Sequence, residues 1–457
     1  MSQLLANPEP EHKHSWLTRR RWAIRYVRTR MHMLISIAGR KFFVFSLLMR
    51  LPSWMLALAT LVIMADRTGE ITLGAYAAGL ICLSSAMSHR SYRALAQRLS
   101  QRTVMFMAAT CNIPAVAFLL AQTLSFQPNR LSGSLAYLML AAALAGITTA
   151  PLGALMRSYW SHNYSVNKDR RLLNAATAFE SLLDVIALPL AAAIVGIISV
   201  LAGLNAPLYT VIAIDVLGLL FILRYPESIR MDGSTVKALD SMSPVSRPSQ
   251  RLGWLPMLGI SCLGICLGAT QTLLVLRSIT QDSPVHIGFL LASMGGSGAL
   301  ACLALNVLRL RLATWQGWLF VAACLTLSSL LLSIPTSSAA MLLVLMLFGA
   351  VLGVGLMCID AIITSISVHG NVDLAQSTTQ ATYIAGLALG YVWSGVFGSH
   401  SGVQSALLVP AIAATVFFVI GHIYGYQWRK LYEERLKPRP EDLTLKPSKT
   451  RQPSSRA

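Results

Sequence analysis

The chain has 457 residues, 55% of them hydrophobic and only 12% charged, with a formal net charge of +19. A soluble domain carries about a quarter of its residues as charges, so this composition excludes an ordinary water-soluble enzyme or binding module. The basic excess does not point to nucleic acid, because Lys and Arg sit in short segments between long apolar runs.

The chain opens on a basic arm, residues 1–40, that includes RRRWAIRYVRTR (Arg19 to Arg30). It lacks the short apolar core and small-residue cleavage site of a secretory signal, so it is expected to stay in the cytosol. Apolar runs close to the ~20 residues that cross a bilayer follow. They lie at 41–64, 71–88, 103–125, 134–157, 173–202, 207–224, 254–277, 285–308, 316–333, 339–366, 374–398 and 403–425. The stretch 225–253, with SMSPVSRPSQR at its centre, is rich in Ser and Pro and reads as a cytosolic linker. The expected fold is all-α and polytopic, about twelve transmembrane helices in two six-helix bundles, 41–224 and 254–426, followed by a basic cytosolic tail, 427–457.

Charge supports one orientation. With both termini cytosolic, 33 of the 37 Lys and Arg residues fall on the cytosolic side, Arg67, Arg130 and Arg277 fall opposite, and Arg50 lies inside a span. The seven cysteines all sit in apolar runs with no CxxC and no histidine at metal spacing, so they read as small core residues rather than metal ligands or disulfides. A weak echo aligns LAGITTAPLGALMR (Leu144 to Arg157) with LFGAVLGVGLMCID (Leu347 to Asp360), placing Arg157 opposite Asp360. Such repeats are common in carriers.

Twelve spans split six and six by a linker, with basic loops after the second span of each half, resemble the major facilitator superfamily over residues 40–426. The family's loop motif, G-x-x-x-D-R-x-G-R-R, is matched by RALAQRLSQR. Arg98 and Arg102 stand at its basic positions, while Arg93, Gln97 and Ser100 replace its Gly, Asp and second Gly. The second half keeps only Arg309 and Arg311 there. The resemblance implies a secondary transporter working by alternating access. It also implies a cavity lined by the first, fourth, seventh and tenth spans, with the second, fifth, eighth and eleventh forming its sides and the contact between halves.

Ionisable side chains inside hydrocarbon are costly and are functional candidates by default. Arg50 lies about ten residues into the first span, with Ser46, Ser53, Trp54 and Thr60 broadly on its side. It is expected to face the cavity and to bind an anionic group of the substrate or a carboxylate partner. Glu180 and Asp184 are four residues apart and share one face of the fifth span, an arrangement suited to holding and releasing a proton. Asp215 is near mid-depth in the sixth span. The expected pairing is Arg50 with Asp184 or Asp215, leaving Glu180 to exchange protons with the cytosolic side. Gln380 and Tyr383, in the polar run QSTTQATY, offer hydrogen bonds to substrate or between helices, and Trp54 offers an apolar wall. Arg157 and Asp360, near the cytosolic ends of the fourth and tenth spans, read as a gate or as interfacial anchors. Pro114, Pro151 and Pro189 are expected to kink their helices.

The expected function is transport of a small molecule, with the proton as coupling ion, no cofactor, and a lean towards efflux. The alternatives are a lipid or lipid-precursor carrier docked by the basic arm and tail, and a polytopic membrane enzyme, for which GxSxG, HExxH and phosphate-loop motifs are missing. The expected setting is a plasma (inner) membrane, multi-pass, with the bilayer and a small-molecule substrate as partners, no nucleic acid, and a monomeric state.

Overall fold

The computed structural model describes residues 40–99, 101–126, 131–153, 155–156, 170–224, 253–280, 285–308, 315–334, 337–366 and 372–436. Nearly all of the basic arm, the linker and the far tail, together with Arg157, Arg309 and Arg311, lie outside these residues. The described residues are helical almost throughout, with no strand among them. The helices are α1 (Arg40–Leu48), α2 (Leu51–Thr68), α3 (Ile71–Arg98), α4 (Gln101–Ser125), α5 (Leu131–Thr148), α6 (Arg170–Ala202) and α7 (Ala206–Arg224) in the first half. The second half has α8 (Trp254–Thr280), α9 (Val285–Leu308), α10 (Trp315–Leu331), α11 (Ser338–Ile366) and α12 (Val372–Leu436).

Among the described residues eight helical stretches are long and apolar enough to cross a membrane, and one of these, Ser377–Lys430, runs for 54 residues. That length is more than twice what a bilayer needs. It is broken at Gly402, whose φ of 75° lies in the left-handed region that suits glycine. The chain folds back there: a Cβ on Gly398 would stand 3.5 Å from the Ala406 Cβ, and Ser405 donates to the Phe397 carbonyl at 2.6 Å. The boundary falls in the gap between the eleventh and twelfth predicted spans.

Two other spans depart from the expected continuous rods. The first is split into α1 and α2 by Met49 and Arg50. Pro52, in the first turn of α2, lacks an N–H and leaves the Leu48 carbonyl without its helical donor, while the Arg50 N–H turns to the Leu47 carbonyl at 3.1 Å. The fourth span ends as α5 at Thr148 and resumes at Leu152 after a non-helical Thr149–Ala150–Pro151. Such interruptions survive at membrane depth only where protein or a cavity satisfies the freed backbone groups.

Packing follows two groups. α2 and α3 pack on α5, α6 and α7 in the first half, and α8 on α12 with α9 on α11 in the second. Trp318, fully buried, fills the second half's core between Phe417 and Tyr424, where Gly259 and Gly421 leave room for its indole. Large apolar side chains such as Met87, Leu201, Phe289 and Leu300 point outward, as a lipid-facing surface requires. Five of the seven cysteines are buried as expected; Cys324 is half-buried and Cys111 is on the outer surface.

The halves meet through α3 with α12 and α6 with α9. The backbones of α6 and α9 nearly touch, since a Cβ on Gly196 would come within 2.0 Å of the Gly288 Cα. Gly395 packs its bare face against Ala75 in the same manner. These approaches all lie towards the end that carries the turns at Gly69, Gly203 and Gly402, the end poor in Lys and Arg.

Candidate functional site

The break in the first span presents Arg50 to the interior, where it is 2% exposed. A bare guanidinium there would be a stranded charge, and the chain answers it from three directions. Arg50 Nε donates to Asp184 Oδ1 at 2.7 Å and Nη2 donates to Glu180 Oε2. Nη1 donates to the Ser46 carbonyl at 2.9 Å and to the Ser46 hydroxyl. That carbonyl is free because the Arg50 N–H has moved one residue along, so the side chain replaces the helical bond its own backbone gave up. Four of the five guanidinium N–H groups are thereby engaged.

Glu180 and Asp184 reach Arg50 together because one helical turn of α6 stacks them on one face, as their spacing implied. Of the two expected partners Arg50 takes Asp184, and the expectation for Glu180 needs correcting. Arg50 holds both carboxylates, so Glu180 is not left over, and Asp215 bonds elsewhere, to Asn112 of α4 at 3.0 Å. Glu180 is fully buried, while Asp184 is 18% exposed and faces the cavity. Asp184 fits there because Gly153, just past the break in the fourth span, has no side chain: a Cβ would stand 2.4 Å from the Asp184 carboxylate.

The cavity lies between the halves and offers about 40 Å³, room for about three waters. Its first-half wall is Arg50, Ser53 and Trp54, the break residues Thr149–Gly153, and Asp184; its second-half wall includes Gln271, Gln380 and Tyr391. The Tyr391 hydroxyl donates to Gln271 Oε1, tying α12 to α8. A small-molecule site usually spans several hundred Å³, far more than this cavity offers. Two expectations change here. The tenth span, α11, contributes none of the described lining residues, and Asp360 stays half-buried within it. Tyr383 is buried behind the wall, its ring edge-on to Trp54 with centroids 6.2 Å apart.

Sequence reasoning missed Gln271, Tyr391, His89 and Asn112. The first three line the cavity, and none is marked by charge within an apolar run as Arg50 is. In the loop motif, Arg102 Nε and Nη2 donate to the carbonyls of Ile222 and Leu223, each at 3.1 Å, at the carbonyl end of α7, where a cation opposes the helix dipole. Arg98 is exposed, Arg93 half-buried, and the Gln97 side chain lies outside the described residues.

No family model and no curated protein sequence matches the chain. Solved structures do. The D-xylose–proton symporter aligns over 82% of this chain and 96% of its own, with a TM-score of 0.62 and 12% identity. The nucleoside transporter NupG aligns over 85% and 98%, with a TM-score of 0.59 and 15% identity. The human organic anion transporter MFSD10 (TETRAN) aligns over 83% and 97%, with a TM-score of 0.57 and 16% identity. The chain therefore has the fold of major facilitator transporters, resembling them along nearly their whole length.

Proposed function

We infer that the protein is a secondary active transporter of a small molecule, with twelve crossings, cytosolic termini and alternating access to the cavity at Arg50. The observation that carries this reading is the buried ionic cluster itself: one guanidinium shared by two carboxylates, set at a helix break, on the wall between two halves. Such a cluster contributes little stability relative to apolar packing. It makes physical sense as a binding and proton-exchange device.

The proposed chemistry uses the engagement of Arg50. An anionic or hydrogen-bonding solute group reaches Nε only by displacing Asp184, and a proton taken up by Asp184 weakens its hold on Nε. Proton uptake and solute binding thus meet at one donor. Glu180 keeps the guanidinium in place meanwhile, and Trp54 with Gln380 supplies an apolar and polar wall to the solute. The direction of net movement follows the proton and solute gradients. The close approaches at Gly196 and Gly395 favour the reading that this conformation is shut on the non-cytosolic side.

Proteoliposomes holding a pH-sensitive dye test it, with sugars, nucleosides and organic anions as the first solutes because the structural neighbours are transporters of these classes. One solute class is expected to evoke proton flux in the wild type and at least about tenfold less in Asp184→Asn, the size of an effect expected for a positioned proton-transfer group. Glu180→Gln is expected to weaken binding as well. Solute movement that ignores the pH gradient, and is unchanged in both variants, would refute the proton coupling.

A further inference from the structure

A second buried carboxyl lies outside the Arg50 cluster. Asp215 is the tenth of the nineteen residues of α7, near mid-depth, and it is 4% exposed. Asn112 Nδ2 donates to Asp215 Oδ2 at 3.0 Å, and Asn112 Oδ1 stands 3.0 Å from the Thr148 hydroxyl at the end of α5. Asp215 borders a separate pocket of about 20 Å³, room for one or two waters. Each element packed on that pocket faces it with uncharged groups: Met49, Pro52 and Ser53 from the first span, Asn112 from α4, Thr148 from α5. Among the described lining residues there is no Lys, Arg or His. Arg50, next to Met49 in the chain, turns to the other cavity.

This arrangement differs in kind from an ion pair. A carboxylate among membrane helices without a cation is an uncompensated charge, which a structural role would have no reason to keep. A primary amide, in contrast, suits either protonation state: its NH2 donates to a carboxylate, and after rotation its oxygen accepts from the O–H of an acid. The pocket gives water access to the carboxyl, and part of its wall is shared: Ser53, Thr149, Ala150 and Leu152 line both this pocket and the larger cavity, at the two helix breaks.

We propose that Asp215 is a proton-binding site in its own right, separate from the Arg50 cavity and served by the small pocket beside it. A hydrated proton in the pocket forms an O–H bond with the carboxylate and leaves a water behind, Asn112 rotates to accept from that O–H, and the reverse sequence releases the proton. The discontinuous segments of the first and fourth spans feel both sites, so occupancy at Asp215 biases the wall that carries Arg50.

Infrared difference spectroscopy on the purified full-length protein in lipid vesicles, recorded between alkaline and acidic buffer, reads this directly and needs no substrate. With isotope-labelled aspartate to separate Asp from Glu, a distinct component of the aspartic-acid C=O absorption is expected to grow on acidification and to be missing in Asp215→Asn, while the components of Asp184 and of the exposed aspartates remain. Asn112→Leu is expected to shift that band in frequency, since the carboxyl loses its hydrogen-bonding amide. If Asp215→Asn does not fold, Asp215→Glu serves: the band must then lose its aspartate isotope shift and reappear as a glutamic-acid band. An acid band unchanged in these variants, or no titrating aspartic-acid band in the wild type, overturns the proposal. Because the readout is protonation alone, a failed transport assay leaves it standing, and a missing Asp215 band leaves the Asp184 reading standing.

Discussion

Replacing Arg50 by alanine is expected to lower folding stability by about 3–5 kcal/mol, the typical loss when one partner of a buried ion pair is removed, and to abolish transport. The loss comes less from the missing contacts than from what they leave behind. Glu180 is fully buried and Asp184 is half-buried at the cavity wall, and two carboxylates one helical turn apart without their guanidinium repel each other where little water can screen them. The Ser46 carbonyl, already without its helical donor, loses the Nη1 bond as well. Arg50→Lys is expected to recover little, because an ammonium is a point charge that cannot span Asp184, Glu180 and the Ser46 carbonyl at once. Removing all three charges, as Arg50→Met with Glu180→Gln and Asp184→Asn, is expected to restore stability but not transport. Thermal unfolding in detergent and uptake into proteoliposomes check both halves of this prediction; an Arg50→Ala protein with wild-type melting and uptake would dismiss the cluster.

The second large effect concerns motion rather than folding. Gly196 and Gly288 let α6 and α9 approach until their backbones touch, and any side chain at either position occupies the partner's space. Gly196→Leu cannot be absorbed by a flexible neighbour, because the obstacle is the Gly288 Cα at 2.0 Å from the added Cβ. Overpacking of this kind costs about 1–3 kcal/mol. The halves can relieve it by separating at that end, so the cost falls on one conformation and shifts the balance between states by about five- to 150-fold. The variant is expected to fold, to insert, and to turn over about five- to 150-fold more slowly, with the non-cytosolic end held open. Spin labels on Leu201 of α6 and Phe289 of α9, both exposed, report the separation; an unchanged distance distribution in Gly196→Leu would show that this contact does not close the protein.

The apolar helices and the meeting of Arg50 with Asp184 were legible because each rests on a local signal, whereas the Arg50–Glu180 contact was not expected. A run of apolar residues has a length, a charge inside it stands out, and residues four apart share a helix face. The rest depends on which helices meet. Asn112 and Gln271 are uncharged polar residues in apolar helices, and only their partners, Asp215 and Tyr391, show what they do. Gly196 and Gly288 are two glycines among 31, singled out only by facing each other. Pro52 lies within the first apolar run, and its effect surfaces through the broken hydrogen-bond ladder around Arg50. The resemblance implied that the fourth and tenth spans both line the cavity, yet among the described residues the interrupted fourth span does so at Thr149–Gly153 while its repeat counterpart, α11, which runs unbroken from Ser338 to Ile366, does not.

The measurement closest to the central claim is the sidedness of access to Ser53, which lines the Arg50 cavity beside the helix break. In a background where Cys82 and Cys111 are replaced by alanine, Ser53→Cys is labelled with a membrane-impermeant thiol reagent in right-side-out and inside-out vesicles. Labelling is expected to be at least about tenfold faster from the cytosolic face, and to become accessible from the opposite face when Gly196→Leu is added, the two-sided, mutually exclusive access of an alternating carrier. Equal labelling from both faces in the parent, or labelling from the non-cytosolic face alone, would contradict the account.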